Sequence, residues 1–413
     1  MKDSLEIVKG TLSRMNRLSK LSYQKLKLHE VKGDRMLLEK QVLPNRLRCL
    51  FIDSNEREKA FISLHIGAGY GDRMIAKNSN MQWIGAGTTN ILMNIRKNQM
   101  KEKRPDLNFR SAVTMDTATI FVEVSITEVE EVIEIMLSSL LREEIEREEF
   151  VRQKQVSTNA FLKNLEHIVF RSMMEIQTYA LPNRLFNLSL IKQDLEEVQY
   201  EDVLDLHQAF FHPNNIVFVA CGDMDHIKIK KQLETQRIPY ERPKFPAKHV
   251  YKRAAELVDQ EINQQANTSY FIGSLAFRSE SVDFSLEEEQ VFLQMIGSVI
   301  FKQDFQVEVS KDQASIIYFT SPDTRFKQAL LTTIWNKNKF EQAKMKVYEQ
   351  YRYIKENDAS MYSYMFGQFA VKDLDLSKLL QQEEALKFNR FREYIDCVKD
   401  KMAETKIHYS NGG

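Results

Sequence analysis

Short apolar runs recur along the first half of the chain and are separated by segments with helical spacing. Strand-like runs cover Leu47–Ile52, Ala60–Ala68 and Ser111–Val124. A fourth run, IVFVAC at Ile216–Cys221, is unbroken and largely β-branched. Such a run predicts a strand that is buried on both faces.

Between these runs, apolar residues spaced three and four apart predict helices. One helix follows the third strand, where Thr127 and Glu130 have the spacing of a capping box. A charge-rich helix is predicted over residues 146–167. Another, YEDVLDLHQAFF, leads directly into the IVFVAC strand.

The second half repeats this order after a proline-rich stretch. Pro239, Pro243 and Pro246 lie within residues 237–256, which we interpret as a linker because proline stiffens extended backbone. Strand SYFIGSLAF precedes a helix that begins at a Ser285/Glu288 capping box, and strand ASIIYFTS precedes helices near 324–336 and 339–356. The predicted fold class is α+β, with two related α/β-sandwich halves, each a mostly antiparallel sheet covered by helices. The predicted domains are 36–236 and 257–413.

Residues 1–35 form a predicted N-terminal basic amphipathic extension. Leu12, Met15, Leu18 and Leu21 recur at three-residue steps among lysines and arginines. Two interpretations remain: a helix that contacts a membrane or an acidic partner, and a helix packed on its own domain with a solvated basic face.

Composition narrows the class of function. The 413 residues include 58 basic and 58 acidic side chains, so no net charge favours nucleic acid as a partner. The three cysteines are far apart and form no metal-binding pair, which fits a reducing cytoplasm. No apolar run approaches the ~20 residues that cross a bilayer, and the first ten residues do not resemble a secretory signal.

Several local patterns allow a functional and a structural interpretation. Gly67, Gly69 and Gly71 lack the spacing of a phosphate loop and predict a tight turn. The acidic run Arg142–Glu149 is either a solvated helix corner or a binding surface for a basic peptide. The aromatic series 347–369 is either core or the lining of a peptide channel.

The histidines do not form an evident metal site. None of the eight occurs between His65 and His167, and Glu166 beside His167 points in a different direction on a helix. We interpret these two histidines, and His207, His212 and His226, as structural or solvent-facing. No GxSxG elbow or Cys–His pair marks a nucleophile.

The ordered segments resemble the M16 zinc peptidases, the relatives of pitrilysin, insulysin and mitochondrial processing peptidase. FFHPNNIVFVACGDMD, from Phe210 to Asp225, is similar to the segment that closes the family's first domain. LPNRLRCLFID resembles its first strand, with Arg46 at the glycine position. SAVTMDTATIF resembles a later strand, with Ser111 replacing an asparagine.

The resemblance implies a zinc-binding HxxEH motif on a helix before SAVTMDTATIF, with a third ligand on a later helix. Here Gln82–Ala86 or Gly87–Ile91 occupies the motif, and the later glutamates fall near Gln153 and Ala160. None of these segments supplies the donors that zinc requires. The Arg/Tyr substrate clamp of the family's second half is also not recognisable. We therefore expect no catalytic residue, no metal ligand and no cofactor in this chain.

The resemblance implies a zinc-less, non-catalytic subunit of a bacterial, cytoplasmic heterodimeric peptidase, with zinc in the M16 homologue that is its partner. A peptide substrate would add as a strand at Ser111, Ala112, Val113 and Thr114. Maturation of a subtilosin-type bacteriocin precursor is a narrower expectation. The alternative is a stand-alone peptide-binding or escort protein, and a third hypothesis is an enzyme with unconventional ligands. No nucleic acid is expected, and membrane contact is left open.

Overall fold

The computed structural model describes residues 38–54, 58–77, 80–180, 191–235, 257–277, 284–301, 305–309, 315–320, 326–376 and 386–411. The strands are β1 (Leu38–Val42), β2 (Arg48–Ile52), β3 (Lys59–Ile66), β4 (Met74–Lys77), β5 (Asn80–Trp83), β6 (Arg110–Val113), β7 (Ala118–Ser125), β8 (Ile216–Cys221), β9 (Gln260–Ala266), β10 (Tyr270–Phe277), β11 (Phe305–Glu308), β12 (Ser315–Phe319) and β13 (Met402–Asn411). The helices are α1 (Thr88–Lys103), α2 (Val129–Leu140), α3 (Arg147–Leu165), α4 (Ile168–Ala180), α5 (Ile191–Glu197), α6 (Tyr200–Phe210), α7 (His226–Thr235), α8 (Leu286–Ile300), α9 (Phe326–Thr332), α10 (Lys337–Asn357), α11 (Ala359–Val371) and α12 (Phe388–Lys399). Within these ranges, no helix combines the length and apolar character that crossing a membrane requires.

Two sheets of the same plan organise the chain. The first has the order β1-β2-β8-β3-β7-β6, and the second has the order β11-β12-β10-β13-β9. Read in the reverse direction, from β9 to β11, the second sheet has the same order of parallel and antiparallel pairs as β2-β8-β3-β7-β6 in the first sheet. Among the described strands of each sheet, one neighbouring pair is parallel, β2 with β8 and β13 with β9. The prediction of two related halves with mostly antiparallel sheets is confirmed.

The unbroken apolar run of β8 follows from its position in the middle of the first sheet. Phe218 and Ala220 point into the core that the helices of the first half cover. Val217 and Val219 alternate with them and join a second core on the opposite face. Both faces are therefore dry, as the sequence predicted.

Helices exchanged between the halves cover the second face of each sheet. Helix α11, from the second half, packs on β8 and β3 of the first sheet. Helix α4, from the first half, packs on β10 and β13 of the second sheet, with Ile176 in contact with that sheet's apolar residues. Each half therefore depends on one helix of the other to bury its sheet.

The predicted single strand Ser111–Val124 is wrong, because the segment forms the antiparallel hairpin β6–β7. The chain turns at residues 114–117, where the Thr114 amide donates to the Thr117 carbonyl at 2.8 Å. The Thr114 and Thr117 hydroxyls also lie 2.7 Å apart. Threonine and aspartate side chains that bond to local backbone stabilise such a turn, and an alternation pattern alone does not reveal it.

Two capping-box predictions had opposite outcomes. The box at Ser285 and Glu288 is confirmed at the start of α8. The box at Thr127 and Glu130 is wrong, because a 3₁₀ turn at Ile126–Glu128 precedes α2 and the first residue of α2 is Val129. At the start of α6, the Gln199 amide donates to the Asp202 carboxylate at 2.8 Å, a helix cap that was not predicted.

Two predicted regions lie outside the described residues: the N-terminal extension 1–35 and the linker 237–256. The predicted domain boundaries at 36–236 and 257–413 remain predictions. The aromatic series in α10 and α11 lies largely in the core, since Tyr348, Tyr351, Tyr362 and Phe366 are buried. This favours the core interpretation of that series over a channel lining.

Candidate functional site

Helix α1 lies where the resemblance places a metal-binding helix, after β3 and before the β6–β7 hairpin. Gly87 precedes it with φ of 86°, a left-handed conformation that glycine adopts without a side-chain clash. The Thr88 hydroxyl donates to the Gly85 carbonyl at 2.7 Å, and the Thr89 hydroxyl donates to the Gly69 carbonyl at 2.9 Å. These bonds fix the start of α1 against the glycine-rich loop after β3.

Side-chain hydrogen bonds connect α1 to α3 where a metal would join these helices, and the bond at Asn94 joins two neutral groups. The Asn94 amide of α1 donates to the Ser157 hydroxyl of α3 at 2.9 Å. One turn later, Asn98 donates to Glu149 at 3.3 Å. Asn90 lies one turn before Asn94, so the three asparagines form one stripe toward α3.

This stripe changes the position of the metal motif expected from the sequence. Gln82–Ala86 covers the end of β5 and the turn after it, and Gly87–Ile91 begins before the first helical residue. Asn90, Met93 and Asn94 have the HxxEH spacing, and Asn94 contacts α3. The sequence signal for this register was the pair of asparagines four residues apart in a helix with many buried apolar side chains.

On α3, the residue that bonds to Asn94 is Ser157, which lies between the expected positions Gln153 and Ala160. Ser157 and Gln153 are buried, at 6% and 5% exposure. An amide cannot replace an imidazole or a carboxylate as a zinc ligand, and a methionine cannot activate water as a base. Across the part of the chain that the structure describes, no three His, Cys, Asp or Glu side chains are grouped to hold a metal.

The buried histidines are held as neutral hydrogen-bonding groups. His65 on β3 is fully buried, with Nε2 at 2.9 Å from the Ser63 hydroxyl and Nδ1 at 3.1 Å from the Thr119 hydroxyl. Burial lowers the pKa of His65 to about 3. His207 Nε2 lies 3.1 Å from the Leu140 carbonyl, and burial lowers its pKa to about 3 as well.

Two other histidines lie apart from these. His226 Nε2 is 3.4 Å from a carboxyl oxygen of Asp53 at the start of α7, and its ring stacks on Phe51. His212 is half-buried beside the Pro213–Asn215 turn, where burial lowers its pKa. These positions agree with the structural interpretation of the histidines.

The residues predicted to bind a peptide lie at an edge of the first sheet. Ser111, Ala112 and Val113 belong to β6, and Thr114 begins the turn to β7. Among the described strands, β7 is the one that pairs with β6. Since Thr114 donates to Thr117, the alternation of an antiparallel ladder turns the backbone groups of Ser111 and Val113 toward the open side.

Helix α1 and the β6 edge are neighbours. Helix α1 packs against β6, so a strand added to this edge would lie near α1. The glycine-rich loop supports the end of the edge, because the Tyr70 and Gly71 amides donate to the Thr114 and Met115 carbonyls at 2.9 and 2.8 Å. A Cβ at Gly69 would come within 2.3 Å of the Met115 backbone. The glycines therefore allow close backbone approach, in agreement with the predicted turn.

The acidic run before and at the start of α3 is mostly exposed and has local partners. Arg142 pairs with Glu144 at 2.8 Å, and Arg147 pairs with Glu201 at 3.1 Å. Exposed pairs of this kind contribute about 0–1 kcal/mol each. The run behaves as a solvated corner in this structure.

Comparison with known families gives one match. Residues 197–362 are similar to the family model described as the peptidase M16 inactive domain. The matched segment begins at the end of α5 and continues into α11. It includes β8 and most of the second half, and it does not include α1 or α3.

Solved structures resemble the chain over nearly its whole length. An M16-like peptidase from Alicyclobacillus acidocaldarius has a TM-score of 0.73 at 12% identity, covering 92% of this chain and 100% of that one. A peptidase M16 inactive domain from Pseudomonas fluorescens has a TM-score of 0.63 at 12% identity, covering 90% and 98%. At these identities the likeness shows the fold.

The periplasmic protease PqqL from Escherichia coli is informative about size. Its first half matches with a TM-score of 0.62 at 13% identity, covering 90% of this chain and 91% of that one. Against the complete PqqL chain, the match covers 92% of this chain and 48% of that one. No curated protein matches the sequence.

Proposed function

Because the chain is an M16-like protein whose residues 197–362 match the family's inactive domain, we propose that it is the non-catalytic subunit of a heterodimeric M16-type metallopeptidase. Its partner is a homologue that binds zinc. The two chains together enclose an extended peptide, and this chain contributes wall and binding surface without performing the chemistry.

The observation that carries this proposal is the neutral Asn94–Ser157 contact between α1 and α3. The elements around this contact are those that the resemblance expects: a helix α1 whose start is held by hydrogen bonds, and an edge strand beside it. Polar donors without charge or basicity replace the groups that zinc hydrolysis needs. A chain with this arrangement can hold a peptide, and the reaction needs a second chain.

The size comparison supports a paired assembly. A unit of this size fills about half of PqqL, which leaves room in that protease for a second unit of similar size. In the proposed heterodimer the second unit is a separate chain. Backbone hydrogen bonds to β6 are indifferent to peptide sequence, so selectivity depends on side chains around the edge.

To test the proposal, this chain is co-expressed with a zinc-bearing M16 homologue from the same source, and the purified material is examined by native mass spectrometry. We expect a one-to-one complex with one zinc ion, which the homologue retains when the chains are separated. Peptide cleavage by the homologue should increase when this chain is added. Stoichiometric zinc in the isolated chain would overturn the proposal.

The narrower part of the proposal concerns substrate and location. We propose a cytoplasmic role in which the substrate is a bacteriocin precursor, and the complex removes part of that precursor. The test compares cleavage of such a precursor with cleavage of an unrelated peptide of equal length. If the chain binds peptide but never associates with a homologue, the alternative of a stand-alone escort protein is favoured.

A further inference from the structure

We infer that two residues from the second half, Gln368 and Lys372 of α11 and its C-terminal end, position the peptide-binding edge of the first half. The inference rests on the proposed peptide binding at β6. It assigns a role to a part of the chain more than 250 residues away in sequence from that edge.

The contacts reach the turn between β6 and β7 and the first residues of β7. The Gln368 side-chain amide nitrogen donates to the Thr119 hydroxyl at 2.8 Å, and its carbonyl oxygen accepts from the Thr117 hydroxyl. Lys372 Nζ lies 2.8 Å from the Asp116 carboxylate. Thr117 in turn holds Thr114, the residue that ends the edge strand.

These contacts matter for the order of the edge, because β6 is short and pairs with one described strand. A four-residue strand at the end of a sheet frays easily unless its turn is held. An edge that is ordered before the peptide arrives loses less conformational entropy on binding. Gln368 and Lys372 thus favour peptide binding by ordering the turn, without touching the peptide.

The same region contains a matched control. Asp373, next to Lys372, pairs with Arg48 of β2, on the other side of the first sheet from β6. Asp373 has a φ of 62°, so Asp373→Asn is a suitable replacement, because asparagine tolerates the left-handed conformation. Lys372→Gln and Asp373→Asn each remove one charge of a contact between the halves, at adjacent positions.

The experiment measures the affinity of an extended peptide by fluorescence anisotropy, together with hydrogen exchange of the Ala112 amide. The double variant Gln368→Ala/Lys372→Gln should weaken binding about five- to tenfold and accelerate exchange at Ala112. Asp373→Asn should change neither quantity more than about twofold. Lys372→Arg, which keeps the ion pair, should bind like the wild type.

Wild-type affinity in the double variant, or an equal loss in Asp373→Asn, would overturn the inference. Failure of the proposed function gives a different result, since the wild-type chain would then bind no peptide at all. In that case exchange at Ala112 still decides whether α11 orders the edge. Unchanged exchange in the double variant would contradict the inference by itself.

Discussion

Single residues show how this chain departs from the pattern that it resembles. Arg46 stands at the position where the resemblance expects glycine, and its φ is 67°. Side chains with a Cβ are disfavoured in this conformation by roughly 1–2 kcal/mol. The backbone therefore keeps the turn that a glycine would form, and the arginine residue bears a conformational strain there.

We predict that Arg46→Gly increases the free energy of unfolding by about 1 kcal/mol, because the strained Cβ is removed. Arg46→Ala is the control, since it removes the same side-chain contacts but keeps the Cβ. Urea denaturation of both variants measures the difference. Equal stability of the two variants would show that the turn is not strained by the side chain.

The burial of His65 predicts that acid destabilises the folded protein. The unfolded chain binds a proton at this residue below about pH 6.5, but the folded protein binds it only near pH 3. Acidification therefore favours the unfolded state. Between pH 6 and 4, the contribution of His65 should lower the free energy of unfolding by about 1.4 kcal/mol for each pH unit.

The measurement is denaturation at several pH values for the wild type, His65→Gln and His167→Gln. His65→Gln should reduce the slope by that amount, although it also loses hydrogen bonds at every pH. His167→Gln is the control for the substitution itself, because His167 is exposed. The same slope in His65→Gln and the wild type would contradict the assignment.

At the scale of elements, the edge strand β6 is the predicted binding element. Ser111→Pro removes an amide that points to the open side and leaves the bonds to β7 in place. We expect this change to weaken peptide binding at least tenfold. Ser111→Ala keeps the amide and should bind normally. Equal affinities in the two variants would place the peptide elsewhere.

The contact between α1 and α3 gives a second prediction at this scale. Asn90→His/Asn94→His/Ser157→Glu should bind about one zinc ion per chain, because Asn94 contacts Ser157 across the two helices and Asn90 lies one turn before Asn94. The control variant carries Thr158→Glu in place of Ser157→Glu, since the side chain of residue 158 points about 100° away from that of residue 157 around the helix axis. Zinc content after dialysis, measured by atomic absorption, tests this. Equal zinc in both variants would refute the register.

The elements also show which features local sequence predicts. The IVFVAC run specified β8 because both of its faces are buried, and the Ser285/Glu288 box specified the start of α8. The β6–β7 turn was missed because its threonines and aspartate fit an alternating strand as well as a turn. The position of the segment with HxxEH spacing was not predicted because the start of α1 depends on Gly87. The positive φ of Gly87 is not evident without the structure.

At the scale of the whole molecule, the two halves are joined by the exchange of α4 and α11. A Cβ at Gly367 on α11 would come within 2.1 Å of His65 Nε2 on β3, so the helix lies very close to the sheet. Arg171 on α4 pairs with Glu175 at 2.8 Å and donates to Gln264 of β9 at 3.0 Å. Sequence periodicity predicted the repeat of the plan, but it could not predict the exchange, because that depends on contacts between distant segments.

This arrangement is consistent with the role proposed above, in which the chain forms one wall of a peptide-enclosing assembly. Polar contacts at both exchanged helices fix the relative positions of the halves, and the β6 edge remains open among the described strands. Catalysis would then require zinc from a second chain. In the proposed assembly, this chain holds the peptide and its partner hydrolyses it.

The most direct test is the rate of peptide cleavage by a zinc-bearing M16 homologue, measured with and without this chain at equal zinc content. We predict at least a tenfold higher rate with the wild-type chain, and most of that gain lost with Ser111→Pro. Equal cleavage by the homologue alone would contradict the account.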